Sequence, residues 1–356
     1  MIKLAIVDKD EKYLDRIGNF FLKYSSNITI FTFTDMEVAV KKLETGHIDF
    51  FLVNDKIEIN DEILKDINEN IVFCYLMEES DYATYKNKPA IFKYQKLEFI
   101  YKRIIDICAS VLPESSSSIK SFDTNTSTVV FVSPAGGVGV SSLAVAFAKK
   151  NASMGKQVLY VNLEQTGSTD DFFEFSSEVD MNLRNVILAI KNKKEKLQYK
   201  LQSQVETDKT NVSFYRTPEV ALDIKELKTD EIELLVSTLK SMDKYDMVII
   251  DINFYFTPSV FAVFKSVDKI IFISDGQKIS NTKLLRAYDA IEKFEDGENL
   301  SFSVLPKISL LYNKFGKSSR EADTRLNMIG HIKRFESPNY HDIINAISDS
   351  SVLDKI

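Results

Sequence analysis

Glycine is scarce in this chain, at 11 of 356 residues, about 3% against a usual ~7%. Cysteine occurs twice, at Cys74 and Cys108, in apolar surroundings and without metal or redox spacing. That excludes a disulfide scaffold, a thiolate zinc site and a dithiol active site, and both residues read as core thiols. The three histidines, His47, His331 and His341, are scattered rather than grouped as ligands. No run approaches the roughly 18 apolar residues of a membrane span. Met1–Asp8 meets acid after a few apolar residues and lacks the apolar stretch of a secretory signal. Positive charge is not in excess: 45 Lys and Arg face 52 Asp and Glu, for a net charge of −7. The imbalance is spread along the chain, with 15 basic against 19 acidic residues in 1–112 and 30 against 33 beyond. Neither part is a basic module drawn to nucleic acid or anionic lipid. These absences predict a cytoplasmic, soluble protein without a nucleic-acid partner.

What is present is ordinary globular composition, 44% apolar and 27% charged. A length of 356 residues suggests two domains. Pro113-Glu114-Ser115-Ser116-Ser117-Ser118 and the polar residues up to Thr128 have linker character. The expected organisation is a domain at 1–112, a linker at 113–127 and a domain at 128–356. Both halves alternate short apolar strands with amphipathic helical patterns, which predicts two α/β domains with doubly wound parallel sheets. In the first half the strands read as Ile2–Val7, Ile28–Phe33, Asp49–Val53, Ile71–Leu76 and Pro89–Phe92. Helical patterns lie near 10–25, 35–46, 60–68, 79–86 and 97–111. Five βα units in about 110 residues describe a flavodoxin-like sheet, with any ligand beyond the carboxyl ends of its strands. Asp8, Asn54 and Lys93 fall there.

Those positions resemble the response-regulator receiver domain, which has an acidic pair after its first strand, a phosphorylated Asp ending its third and a Lys ending its fifth. Asp8 and Lys93 match. Lys9 stands where the second metal-binding acid belongs, and Asn54 stands at the phosphoacceptor position. An amide is neither a nucleophile toward a phosphoryl donor nor an anionic Mg²⁺ ligand. Asp55 is one residue late, and on a strand such an offset points to the other face. The expectation is a pseudo-receiver used for protein contacts, with no phosphoacceptor. A receiver switched by phosphorylation needs Asp55 to replace Asn54.

Three of the scarce glycines fall within four residues, Gly136, Gly137 and Gly139. They follow the β-branched strand Thr128–Val132 and precede the helical pattern Leu143–Asn151. Strand, glycine turn and helix start form the context of a phosphate loop, where amide N–H groups and the helix dipole converge on one anion. The candidate loop is Ala135, Gly136, Gly137, Val138, Gly139, Val140, Ser141 and Ser142, with the Ser141 hydroxyl a candidate Mg²⁺ ligand. Val158–Glu164 is a second strand ending in polar groups. Met247–Asp251 is a buried strand whose terminal Asp251 can hold Mg²⁺ through water. Lys269–Ser274 and Ile308–Lys314 add further strands. Asn313 and Lys314 are candidates for the nucleotide site, Asn313 through an adenine edge.

This order resembles the MinD/ParA class of P-loop ATPases across about 128–356. With the degenerate receiver in front, the whole chain resembles the TadZ/CpaE family, which positions Tad-type pilus secretion machinery at a cell pole. The resemblance implies ATP and Mg²⁺ as cofactors, a homodimer, Tad machinery proteins as partners and placement at the pole. That class carries two loop lysines, one on the β- and γ-phosphates and one reaching across the dimer. Here Ala135 and Val140 occupy those positions, so both charges are absent. The acids that orient water after the second strand correspond to Asn162 and Glu164, the candidate catalytic positions. Losing a lysine–phosphate contact lowers affinity roughly ten- to hundredfold. A missing cation lowers phosphoryl transfer by about 10³–10⁵. The expected function is an ATP-binding localisation scaffold that dimerises, with weak or absent hydrolysis. The alternative is an active ATPase cycling between monomer and dimer.

Residues 183–204 read as one long helical pattern with five lysines in 191–200, either a solvated face or a docking surface. Phe172-Phe173 and Phe254-Tyr255-Phe256 fill the core or line a dimer or partner surface. The acidic final segment Ile347–Ile356 does not suit an interfacial membrane helix, so no direct membrane anchor is expected.

Overall fold

The computed structural model describes residues 2–24, 28–59, 71–79, 82–111, 126–175, 181–192, 196–218, 220, 222–242, 244–298 and 303–356. The chain divides into two compact units, Met1–Ser117 with Lys193–Ser203, and Ser118–Asn192 with Gln204–Ile356. Among the described residues no helix is long and apolar enough to cross a membrane.

The first unit is built on β1 (Ile2–Val7), β2 (Ile28–Phe33), β3 (Phe50–Asn54), β4 (Val72–Met77), β5 (Thr84–Tyr85) and β6 (Lys88–Phe92), in the order β2-β1-β3-β4-β6-β5. All pairs are parallel except β5–β6. A parallel sheet covered on both faces needs apolar residues at nearly every position, and β3 and β4 are buried along their whole length. Alternate residues divide between two cores: Leu4, Ile6, Leu52 and Cys74 on one face, Ala5, Val7, Val53 and Tyr75 on the other. Helix Glu11–Tyr24 buries Tyr13, Leu14, Ile17 and Phe21, one stripe at 3.6 periodicity. Both cysteines are free and buried, and burial pushes the Cys108 thiol up to about 12.

The helix expected near 79–86 is absent from the described residues of that stretch. Lys86 and Asn87 both adopt left-handed backbone, at φ 47° and 60°. They form a two-residue turn that pairs Tyr85 with Lys88 and Thr84 with Pro89, so a hairpin replaces the helix. The helical pattern at 60–68 lies outside the described residues. So does the linker at 113–127, apart from Thr126 and Ser127, which already belong to the second unit: Ser127 opens a strand and the Thr126 hydroxyl donates to the Tyr245 carbonyl at 2.8 Å.

The pattern at 183–204 is not one helix. Leu183–Asn192 buries Leu183, Val186, Ile187 and Ile190 in the second unit, whereas Leu197–Ser203 packs on helix Leu97–Val111 within the first. Lys200 Nζ and Ser203 Oγ both donate to Asp106 Oδ1, at 2.7 and 3.0 Å, and Tyr199 packs against the core. Lys200 is thus a packing lysine, neither a solvated face nor a free docking charge.

The second unit carries β7 (Ser127–Val132), β8 (Val158–Asn162), β9 (Glu206–Thr207), β10 (Val212–Phe214), β11 (Met247–Asp251), β12 (Lys269–Ser274), β13 (Ile308–Phe315) and β14 (Asn327–Lys333). Their order is β14-β13-β12-β7-β11-β8-β10-β9, parallel except for β9–β10. β9, β10 and β14 have no counterpart in the sequence reading: the first two are too short for a periodic signal, and polar residues interrupt β14. β7 lies at the centre, between β12 and β11, so the loop leaving it emerges among the carboxyl ends of neighbouring strands. Registry sets Asp251 beside Asn162 of β8 and Phe131 of β7. Helix Val140–Ser153 is buried on nearly all sides, lying against the sheet and helix Tyr340–Ser348.

Candidate functional site

The loop after β7 is braced at both ends. Ser133 Oγ donates to the Ile273 carbonyl at 2.6 Å and accepts the Ala135 N–H at 3.0 Å. Gly137 and Gly139 adopt φ 76° and 88°, a region glycine enters without steric cost. Gly139 is also the N-cap of helix Val140–Ser153, and no side chain caps that helix. Its first-turn N–H groups and dipole therefore face whatever lies in the loop. A Cβ on Gly139 would stand 2.6 Å from Asn313 Nδ2, whereas one on Gly136 would meet nothing within 4 Å. Gly139→Ala is expected to cost about 1–3 kcal/mol, from left-handed strain and the displaced Asn313. Gly136→Ala should be near neutral. Urea unfolding of both variants checks this, and equal effects would refute the assignment.

Two β13 residues reach the loop. Asn313, buried, donates through Nδ2 to the Val138 carbonyl at 2.9 Å, and Lys314 Nζ donates to the Gly137 carbonyl at 2.8 Å. One donor of the Asn313 amide is thereby used on the loop, and its second N–H and its Oδ1 are left for other partners. Ser142 is buried and its hydroxyl is hydrogen-bonded to the Tyr340 hydroxyl.

On the far side of the loop lies an acidic site. Asp251 is fully buried, and its Oδ2 accepts the Tyr160 hydroxyl at 2.8 Å. Oδ1 makes no hydrogen bond of normal geometry. Glu164 accepts from Asn253 Nδ2 at 2.9 Å, from Ser141 Oγ at 3.4 Å and from Asn162 Nδ2 at 3.5 Å. Asn162 Oδ1 in turn accepts the Glu164 N–H at 2.8 Å. Burial, then the charge of Glu164, pushes the Asp251 carboxyl up to about 7, while the neighbouring Tyr160 and Ser141 hydroxyls oppose the shift. Among the described residues neither carboxylate makes an ion pair.

An orphaned buried carboxylate oxygen beside a second acid and a serine hydroxyl is a hard-oxygen environment short of positive charge, which fits Mg²⁺. No group of three or more His, Cys, Asp or Glu placed to hold a metal ion occurs among the described residues. Phosphate and water oxygens would therefore have to complete the shell. Ser141 and Asp251 are the residues that would hold the ion, and it would supply charge neutralisation between phosphate and carboxylate.

In the first unit, Asp8, Asn54, Glu78 and Lys93 form a closed network. Lys93 is 1% exposed and bridges Asp8, at 2.8 Å, and Glu78, at 3.0 Å. Asn54 Nδ2 donates to Asp8 Oδ2 and to Glu78 Oε1, both at 2.8 Å, while its Oδ1 accepts the Lys56 N–H. The hydrogen bond from Asn54, then that from Lys93, holds Glu78 below the usual carboxylate range. Burial lowers the Lys93 pKa, but hydrogen bonds to Asp8 and Glu78 outweigh it and raise the group overall. Asp55 accepts the Glu78 N–H at 3.1 Å instead of joining the pair.

The sequence matches a TadZ-like receiver-domain model over residues 1–109 and an AAA-domain model over residues 126–304. The chain belongs to the AAA-domain family in its ParA/MinD-like form, with a TadZ-like receiver in front. A ParA family ATPase from Chlorobium tepidum TLS is similar in fold at a TM-score of 0.52 and 16% identity, covering 65% of this chain and 97% of that one. The MinC:MinD cell division complex from Aquifex aeolicus superposes at a TM-score of 0.48 and 14% identity, over 65% and 94%. The septum site-determining protein MinD of Pyrococcus horikoshii OT3, complexed with Mg-ADP, superposes at 0.46 and 14%, over 63% and 94%. Comparison with curated proteins gave no significant match.

In the AAA domain, the two positions that lack loop lysines are apolar in fact as well as in sequence. Ala135 is buried and Val140 packs against the core. Sequence reasoning missed Tyr160 and Asn253, although Tyr160 lies two residues from Asn162 in β8, a spacing that shares a face, and Asn253 follows Asp251 just beyond the end of β11. Tyr340 and Arg334 carried no such signal. Arg334, Phe335 and Pro338 line a cavity of about 520 Å³ that Lys314 also borders. Phe172 and Phe173 are core, whereas Tyr255 and Phe256 are half exposed. In the receiver, Glu78 was missed, and it is what saturates Asn54.

Proposed function

We propose that this protein is an ATP-binding localisation scaffold that dimerises and recruits or positions Tad-type pilus secretion machinery at the cell pole, with weak or absent hydrolysis. The observation that carries it is the uncapped helix start at Gly139, whose amides face the loop beside the orphaned Oδ1 of Asp251. Amides and one divalent ion supply enough attraction to bind a nucleoside triphosphate. Apolar Ala135 and Val140 leave the loop's own backbone without the charge that accelerates transfer, worth about 10³–10⁵ in rate. The cavity beside Lys314 offers the apolar walls of Phe335 and Pro338 to a base. ATP then acts as a clamp or slow switch, and the saturated receiver serves protein contacts rather than phosphorylation.

Calorimetric titration of the full-length protein with ATP, with and without Mg²⁺, tests this reading. Saturable, Mg²⁺-dependent binding with phosphate release near background is the expected result. No heat up to millimolar ATP would refute it and turn attention to protein-contact surfaces. The alternative, a working ATPase, is favoured by one observation: Asn253 and Ser141 hold Glu164 where it can orient water. Phosphate release well above background and abolished by Glu164→Gln would establish it.

A further inference from the structure

The loop lacks both of its own lysines, yet a lysine lies on it. Lys314 comes from β13, 177 residues beyond the glycine it touches. Its backbone is left-handed at φ 55°, unusual for a residue with a side chain. Its Cε would stand 3.4 Å from a Cβ on Gly139, so its stem runs along the loop in van der Waals contact with it. Asn313, its neighbour, holds the next loop carbonyl. Two consecutive residues of β13 thus grip the carbonyls of Gly137 and Val138.

Arg334 borders the same cavity of about 520 Å³, with Glu336 as its one acidic lining residue. Among the described residues neither Lys314 nor Arg334 makes an ion pair. Burial, then the charge of Arg334, lowers the Lys314 pKa, and Asp275 opposes the shift. Two unpaired cations sharing one cavity repel each other, and an anion placed between them removes that cost.

Resting on the nucleotide-binding reading, we propose that Lys314, with Arg334 lining the same open pocket, is the phosphate-directed cation of this site and replaces from β13 the charge missing at Val140. Its ligand is the polyphosphate chain of a nucleoside di- or triphosphate. An ammonium has three donors, so Nζ can keep the Gly137 carbonyl and still donate to a phosphate oxygen. The lysine positions charge for binding, and the loop amides supply the remaining donors.

The test is calorimetry on the full-length protein with ATP, ADP and AMP, in Mg²⁺, for the wild type, Lys314→Met, Lys314→Arg and Lys314→Met combined with Val140→Lys. Lys314→Met should weaken ATP about ten- to hundredfold and AMP much less. Lys314→Arg should retain most of the affinity, and lysine at position 140 should restore part of the loss. Intact ATP binding in Lys314→Met overturns the inference while leaving nucleotide binding standing. An equal loss for ATP and AMP also overturns it, because that is the mark of a brace for the loop. If the wild type itself binds no ATP, the nucleotide reading fails and takes this inference with it. A measurement on the wild type guards against a variant that does not fold. ATP should slow reductive methylation of Lys314, read by mass spectrometry, and adenosine should not; equal protection by both, or by neither, would refute the proposal.

Discussion

Asp251→Asn should make the nucleotide-free protein more stable at pH 8 and at the same time abolish the effect of Mg²⁺ on ATP binding. The carboxyl is fully buried and pushed from 3.8 up to about 7. The folded state therefore holds the Asp251 proton more tightly than the unfolded state does. Its stabilising contribution is complete below about pH 4 and is lost as pH rises through about 7. A shift of that size corresponds to roughly 4 kcal/mol at pH 8. An amide escapes ionisation, keeps the Tyr160 hydrogen bond and recovers part of that amount, less the cost of its own buried N–H. Urea unfolding at pH 5 and pH 8 measures the difference, which should be large only at the higher pH. Equal stability of variant and wild type at pH 8, or Mg²⁺ dependence that survives the substitution, would show that Asp251 is not a desolvated metal-side carboxylate. The native residue is thus a stability cost, the trade that the proposed Mg²⁺ site would explain.

Lys93→Met should unfold the receiver far more readily. Lys93 and Asp8 are 1% and 2% exposed, and Glu78 shares the same ammonium. Removing the cation leaves two carboxylates facing each other around Asn54. Breaking a buried pair by deleting one partner costs about 3–5 kcal/mol. Neutralising Asp8 as well, in Lys93→Met with Asp8→Asn, should recover much of that loss, since the two residues are directly coupled. The network also predicts acid sensitivity. The Glu78 pKa is lowered in the folded state, so its contribution is present above about pH 4.5 and fades as pH falls through the folded value. The amino-terminal transition in urea reads both effects. A loss under 1 kcal/mol in the single variant would mean that the network is solvated rather than closed. In this closure Asn54 and Lys93 satisfy the acids Asp8 and Glu78 directly.

Local chemistry made most of the scaffold legible. β-branched runs such as Val129–Val132 have one backbone preference, and buried parallel strands are apolar throughout, so their positions follow from composition within a few residues. The hairpin at Thr84–Tyr85 escaped because the left-handed pair Lys86-Asn87 lacks the glycine that usually marks such a turn. The pattern at 183–204 misled because its two halves are buried in different units, and a helical period does not say what covers it.

By itself the sequence determined the glycine turn proposed as a phosphate loop: in a glycine-poor chain, Gly137 and Gly139 stand where the backbone must turn left-handed, a requirement local to those residues. It determined, equally, that Ala135 and Val140 carry no charge and that Asn54 accepts no phosphoryl group, because those are properties of side-chain chemistry. Only the tertiary structure decided what surrounds them. Strand order brings β13 within reach of the loop, so Lys314 and Asn313 grip carbonyls about 175 residues away. The same order, through burial and registry, sets Tyr160 on Asp251. Contacts at such separations follow from how strands are permuted in a sheet, and no period in the chain encodes that permutation.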